Sequence, residues 1–303
     1  MGIVILAGQN HDELLNSVET FPRTSSNIPE TPFPIANHTL SVLTPEDGSS
    51  TTLVACSGSL EKECWSWQKG DDKWQLYASL DLNRYTARAI SFGDRFLLIG
   101  AGGITIPPLW DTGVELPSGR TFDLENLAIL RSFCLIPSGD TFILAGAHDG
   151  STTLGPGLVE RYSSSGEFIE YLPSLSNAYV DLGCGSFKED QGNTALLMVG
   201  WTVYIPPYGD APHQETRILY HGADTWVPGP DFPDPWARLG TMASGYNLAP
   251  DQLLMVLEPD HDSNQEFSGV FQLSSDAKGW IEMGTIERKY FGAATANLAQ
   301  LCG

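Results

Sequence analysis

The sequence predicts an all-β fold, and three recurring signals predict it. The first is a short aliphatic or β-branched run, usually closed by a small residue. The copies are Ile3-Val4-Ile5-Leu6-Ala7-Gly8, Leu53-Val54-Ala55-Cys56-Ser57, Phe96-Leu97-Leu98-Ile99-Gly100, Phe142-Ile143-Leu144-Ala145-Gly146, Leu196-Leu197-Met198-Val199-Gly200 and Leu253-Leu254-Met255-Val256-Leu257. They end at residues 8, 57, 100, 146, 200 and 257, in steps of 43 to 57 residues. An apolar run this short reads as a strand buried on both faces. The second signal is a small-residue strand just before the run, at 87–92, 132–136, 183–187 and 240–244. The third follows it: a strand, a polar turn and a strand with aromatic or aliphatic residues, as from Trp65-Ser66-Trp67 to Lys73-Trp74-Gln75-Leu76.

Each unit is therefore a four-stranded antiparallel meander, which cannot bury both faces alone and must stack on copies of itself. Turn signals at Gly93-Asp94 and Pro137-Ser138-Gly139-Asp140 join the first two strands of two units. The N-terminal unit begins at the apolar run and lacks the strand that should precede it. Phe291-Gly292-Ala293-Ala294-Thr295-Ala296 matches that missing strand and has no run after it. The last strand is thus expected to pair with residues 3–8 and close a ring, which leaves only short protected edges. Six units in a ring make a six-bladed β-propeller, expected as a single domain over 1–303. Its blades fall at about 291–297 plus 1–34, 36–80, 84–126, 128–176, 180–232 and 236–288.

The apolar run ending in glycine, the polar turn after it and the later Trp or Phe resemble kelch repeats. Phe142-Ile143-Leu144-Ala145-Gly146-Ala147-His148-Asp149-Gly150 matches best, and Leu97-Leu98-Ile99-Gly100-Ala101-Gly102-Gly103 comes next. The resemblance spans the whole chain. Its motifs are degenerate, and the sixth unit has Leu257-Glu258 in place of the double glycine. It implies the propeller; it does not imply one activity, because propellers host many.

Sixteen basic against 37 acidic residues leave a net charge of −21. Nucleic acid and anionic membrane both reward a basic face, so neither is expected as a partner. With 42% hydrophobic and 10% aromatic residues the chain can bury a large core, and no apolar run is long enough to cross a bilayer. The 31 glycines and 20 prolines, spread along the chain, suit many short strands joined by turns.

The five cysteines, Cys56, Cys64, Cys134, Cys184 and Cys302, form no C-x-x-C pair, which argues against a zinc ribbon or a thioredoxin-type site. Cys56 and Cys64 face each other across an expected hairpin, where a cross-strand disulfide fits; free buried thiols fit equally. Arginine outnumbers lysine, and Asn37-His38-Thr39 is the single glycosylation sequon. Both features lean toward an extracellular, secreted protein. Met1-Gly2-Ile3-Val4 reads directly as a strand, so the chain is expected to be either a mature form restarted at methionine or a cytoplasmic protein.

In a propeller the functional surface is usually the end where the loops between strands two and three meet the connections between blades. Here those loops are about 9–16, 58–63, 101–113, 147–157, 201–215 and 258–267. Function concentrates on loops held by a rigid scaffold. Two of them carry an Ile-Pro-Pro tip: Gly103-Ile104-Thr105-Ile106-Pro107-Pro108-Leu109-Trp110 and Trp201-Thr202-Val203-Tyr204-Ile205-Pro206-Pro207-Tyr208. Stiff prolines hold aromatic side chains at low entropic cost, as a binding surface does. Packing of the same loops over the ring mouth as a lid is the competing reading.

The connections between blades hold Arg84, Arg88, Arg131, Arg238, Arg288 and Lys289. On so acidic a chain that placement focuses a local positive potential suited to an acidic group. Arginine before the first strand also resembles the kelch pattern, in which some members hold acidic peptide segments. Arginines tying neighbouring blades together is the competing reading. The tryptophans at 65, 67, 74, 226 and 280 are expected to pack blade on blade, whereas Trp110, Trp201 and Trp236 lie in loops or connections.

Three loops carry His-Asp pairs: His11-Asp12, His148-Asp149 and His261-Asp262. Imidazole beside carboxylate suits a divalent metal or an oriented base, and Asp at this place also suits a tight turn. Nucleophile-elbow, zincin, phosphate-loop and dinucleotide motifs are absent from the sequence. No copper-oxidase Tyr–Cys constellation or sialidase arginine triad can be assembled, and no cofactor is identified.

Two functions are therefore expected. The first is a non-enzymatic protein that binds a small molecule or an acidic protein segment through Ile106, Trp110, Tyr204, Tyr208 and Trp236, with Arg84, Arg131 and Arg238 fixing an acidic group. The alternative is an enzyme with His11 and His261, metal-assisted or not, in the central cavity.

Overall fold

The computed structural model describes residues 2–10, 13–22, 28–32, 34–45, 50–58, 62–82, 84, 87–100, 112–124, 133–147, 157–176, 179–202, 214–233, 241–249, 251–259, 267–287, 292–296 and 298. The described strands form six antiparallel sheets, the blades of a six-bladed β-propeller. Two compact units hold three blades each, residues 1–125 with 288–303 and residues 126–287.

In the first unit, blade one contains β1 (Gly2–Asn10) and β2 (Glu13–Phe21). Blade two contains β3 (Thr39–Leu43), β4 (Thr52–Cys56), β5 (Glu63–Gln68) and β6 (Gln75–Ser79). Blade three contains β7 (Arg88–Phe92), β8 (Arg95–Ile99), β9 (Thr112–Leu116) and β10 (Arg120–Asp123). In the second unit, blade four contains β11 (Cys134–Ser138), β12 (Thr141–Ala147), β13 (Leu158–Ser163) and β14 (Phe168–Tyr171). Blade five contains β15 (Tyr179–Lys188), β16 (Thr194–Thr202), β17 (Gln214–Leu219) and β18 (Val227–Pro228). Blade six contains β19 (Thr241–Ala249), β20 (Gln252–Pro259), β21 (Ser268–Leu273) and β22 (Trp280–Ile286).

The last strand, β23 (Gly292–Ala296), pairs antiparallel with β1 from Gly2 opposite Ala296 to Leu6 opposite Gly292. The two chain ends thus meet in one blade, as the repeat pattern requires. Among the described residues the sheet order of that blade is β2-β1-β23. The segment after β2 carries Pro29, Pro32 and Pro34, which have no N–H to donate to a ladder. Among the described residues it bonds to β2 through Thr31 N to Asn16 O at 2.8 Å and Ile35 N to Leu15 O at 3.0 Å.

The six apolar runs are the second strands of the blades, and their core residues are buried. Alternation of side chains explains why they are apolar throughout. On β4, Leu53 and Ala55 pack with Val4 and Leu6 of blade one, while Val54 and Cys56 pack with Leu98 and Val114 of blade three. On β16, Leu197 and Val199 join Leu253 and Met255 of blade six, and Leu196 and Met198 join Cys134 and Ile143 of blade four. Both faces of the strand meet apolar neighbours, which accounts for the unbroken apolar stretches Leu53–Cys56 and Leu196–Val199. Each buried Leu, Val or Met side chain among them contributes about 1.5–3 kcal/mol by leaving water.

The small-residue strands are the innermost ones, and close approach explains their composition. A Cβ placed on Gly245 of β19 would lie 2.0 Å from the Cys184 carbonyl oxygen of β15, and one on Gly183 would lie 2.6 Å from Ala243. The small residue that closes an apolar run has its own cause. Gly100 (φ 74°) and Gly146 (φ 93°) turn the chain out of the second strand in the left-handed region.

Cys56 and Cys64 lie directly opposite each other on β4 and β5 and are disulfide-bonded. Cys134 and Cys184 form a second disulfide between the inner strands of blades four and five. Cys302 lies outside the described residues. Among the described residues, no helix is long and apolar enough to cross a membrane.

Candidate functional site

The end of each blade where the second strand exits is the one that sequence reasoning singled out. In blade three, the loop 101–111 leaves after Gly100 and returns at Thr112. Arg84, in the connection before the blade, reaches both feet of that loop. Its Nη1 donates to the carbonyls of Gly100 and Thr112, each at 3.0 Å, and its Nη2 donates to Thr112 Oγ1 at 3.1 Å. Gly100 N also donates to Thr112 O at 2.9 Å. Only 4% of Arg84 is exposed, and burial lowers its pKa to about 10. The guanidinium is therefore a clamp on the root of the loop that carries Ile106 and Trp110. Its described partners are two carbonyls and a hydroxyl.

In blade five, the loop 203–213 leaves after Thr202 and returns at Gln214. Its root is held by a different group. Tyr179, opposite Thr202 in the ladder, donates from Oη to Glu215 Oε2 at 2.8 Å. Arg217 donates from Nε to Tyr179 Oη at 3.2 Å and to Glu215 Oε2 at 2.9 Å, and from Nη2 to the same carboxylate oxygen at 2.6 Å. Burial and the hydrogen bond to Glu215 raise the Tyr179 phenol. Burial works against the Arg217 charge, but Tyr179 and Glu215 outweigh it and hold the guanidinium above its ordinary value. The cluster keeps its charge paired beside Gln214, where the described chain resumes, without offering a free cation.

In blade two the second strand exits through Ser57 and Gly58, both with positive φ, at 65° and 63°. His38, at the end of the connection from blade one, is 6% exposed. Burial lowers its pKa to about 3, and a backbone contact at Leu6 opposes that only in part. This histidine is a neutral core group. The sequence pattern drew attention to the loop histidines and passed over it.

Of the expected site residues, Arg84 is placed by the structure. Ile106, Trp110, Tyr204, Tyr208, Trp236, Arg131, Arg238, His11 and His261 lie outside the described residues, as do His148 and the aspartates of the three His-Asp pairs. Tyr179, Glu215 and Arg217 were not singled out from sequence. The one local signal for them is Glu215-x-Arg217, which puts both side chains on the same face of β17.

The blades and their rooted loops define a propeller scaffold of the kind that carries binding or catalytic loops. No protein-family model matches the sequence, and no curated protein matches it. The solved structure of YjhT aligns over 84% of this chain and 99% of that one, with a TM-score of 0.48 at 11% identity. The strand order of the six sheets and the β1–β23 pairing define the propeller.

Proposed function

We propose that this chain is a secreted, kelch-like propeller that binds a small molecule or an acidic protein segment through the loops after its second strands. The observation that carries the reading is the Arg84 clamp. A surface loop needs no buried guanidinium to close it, yet Arg84 holds both feet of the loop that bears Ile106 and Trp110. Rooting a loop in advance lowers the ordering cost of binding. The Tyr179–Glu215–Arg217 cluster supports the same reading for the loop with Tyr204 and Tyr208. In this reading Arg131, Arg238 and Trp236 add charge and apolar contact from the connections. Two disulfides between buried cysteines support an oxidising, extracellular compartment.

The test begins with the intact mass of natively purified protein under non-denaturing and denaturing conditions. Excess mass lost on denaturation identifies a bound small molecule by size. Without it, acidic peptides are titrated against the protein and against Trp110→Ala and Tyr204→Ala. The reading expects both substitutions to weaken binding with thermal stability unchanged. Equal loss of binding and stability would make the two aromatics core residues and refute it.

A further inference from the structure

We propose that Asn37 is an N-glycan acceptor, modified before blade two closes. Asn37-His38-Thr39 has the acceptor, a non-proline middle residue and the hydroxyl at the third position that this chemistry needs. Asn37 is half-buried and ends the connection between blades one and two, with φ at 54°. The next two residues are different in kind. His38 is 6% exposed and Thr39 9%, and Thr39 Oγ1 donates to the Cys56 carbonyl at 3.3 Å. Thr39 is also paired with Cys56 in the ladder, and Cys56 is bonded to Cys64. A transferase must hold all three residues as one extended segment. The closed blade denies it that segment, so transfer precedes the pairing of β3 with β4.

The step rests on the secreted reading, because its donor, a lipid-diphosphate-linked oligosaccharide, belongs to the compartment where disulfides form. The Asn37 Nδ2 forms a bond to C1 of the sugar while the C1–O bond to the diphosphate breaks. The lipid diphosphate leaves with that electron pair, and one amide proton passes to a base of the transferase. Nothing is oxidised or reduced. The linked amide keeps one N–H and its Oδ1. Asn37 lies beside Gly58, where a Cβ would fall 2.5 Å from the Asn37 carbonyl oxygen. The glycan therefore sits at the loop end of blade two.

The full chain is secreted from a eukaryotic host and its intact mass is taken, reduced and unreduced, before and after peptide-N-glycosidase. The expected result is two disulfides, loss of one glycan's mass and aspartate left at position 37. Asn37→Asp and Thr39→Val lose the glycan, and Thr39→Ser keeps it. A secreted chain with both disulfides and no glycan would overturn the acceptor site alone. A chain retained in the cell or lacking the disulfides would overturn the secreted reading and the site with it. Timing is tested in vitro on glycan-free protein with the transferase and its lipid-linked donor. The reduced, unfolded chain is expected to be modified and the folded chain to stay unmodified; equal modification of both overturns the proposed order.

Discussion

The indole Nε1 of Trp74 donates to the carbonyl of Pro29, 45 residues earlier, at 2.9 Å. The same device recurs in the other compact unit, from Trp226 to Pro173 at 2.7 Å and from Trp280 to Pro230 at 3.0 Å. Each tryptophan stands at or just before the fourth strand of its blade, and each proline lies on the chain leaving the blade before. The ring supplies apolar contact and the N–H supplies register, so one residue both packs and positions neighbouring blades.

Replacing these tryptophans by phenylalanine keeps most of the packing and leaves a carbonyl unpaired. Trp74→Phe should cost about 1–3 kcal/mol in chemical denaturation, because Trp74 is 3% exposed and its donor reaches a part-buried carbonyl. Trp226 and Trp280 are only partly buried, so the same change there should cost less. A larger loss at either than at Trp74 would contradict the account.

Arg84 should govern the order of one loop. Arg84→Met removes three donated bonds at the root of residues 101–111 and keeps most of the buried stem. Limited proteolysis within that loop should speed up, and stability should fall by about 1–3 kcal/mol. An unchanged cleavage pattern would show that the loop is held by something else.

Acid should destabilise the protein through His38. The unfolded imidazole titrates near 6.5 and the folded one at about 3. Between those values the unfolded chain takes up a proton that the folded chain excludes. Stability is therefore complete above the unfolded pKa and falls as pH drops through that window, by up to roughly 1.4 kcal/mol per pH unit. His38→Leu should flatten the urea-denaturation profile between pH 6.5 and 4. A profile equally steep in the variant would assign the acid sensitivity to other groups.

The two disulfides should contribute unequally. Cys134–Cys184 closes 50 residues and Cys56–Cys64 only 8. Loop-closure entropy then predicts about 4 kcal/mol lost with the first and about 2.5 kcal/mol with the second. Denaturation of Cys134→Ala/Cys184→Ala beside Cys56→Ala/Cys64→Ala measures the difference, and the reverse order would refute the entropic reading here.

Much of the scaffold is legible in sequence because its physical causes are local. A run such as Phe96-Leu97-Leu98-Ile99 reads as a strand covered on both faces, and glycine after it marks the left-handed turn at Gly100. The unpaired small-residue strand at 292–296 announces its pairing with β1. The tryptophan positions were likewise readable as packing residues, but not their carbonyl partners.

The candidate site was legible only as a location. Arg84 stood out by charge and by its place between blades, yet its partners lie 16 and 28 residues away. Tyr179 meets Glu215 across 36 residues, and His38 owes its depressed pKa to burial that no local pattern encodes. Composition and periodicity act between near neighbours along the chain, so they determined the strands, their order and the ring-closing pair. Hydrogen bonds and desolvation act through space. Only the folded chain could decide that Arg84 clamps a loop, that Cys134 meets Cys184, and that Tyr179 shares a carboxylate with Arg217.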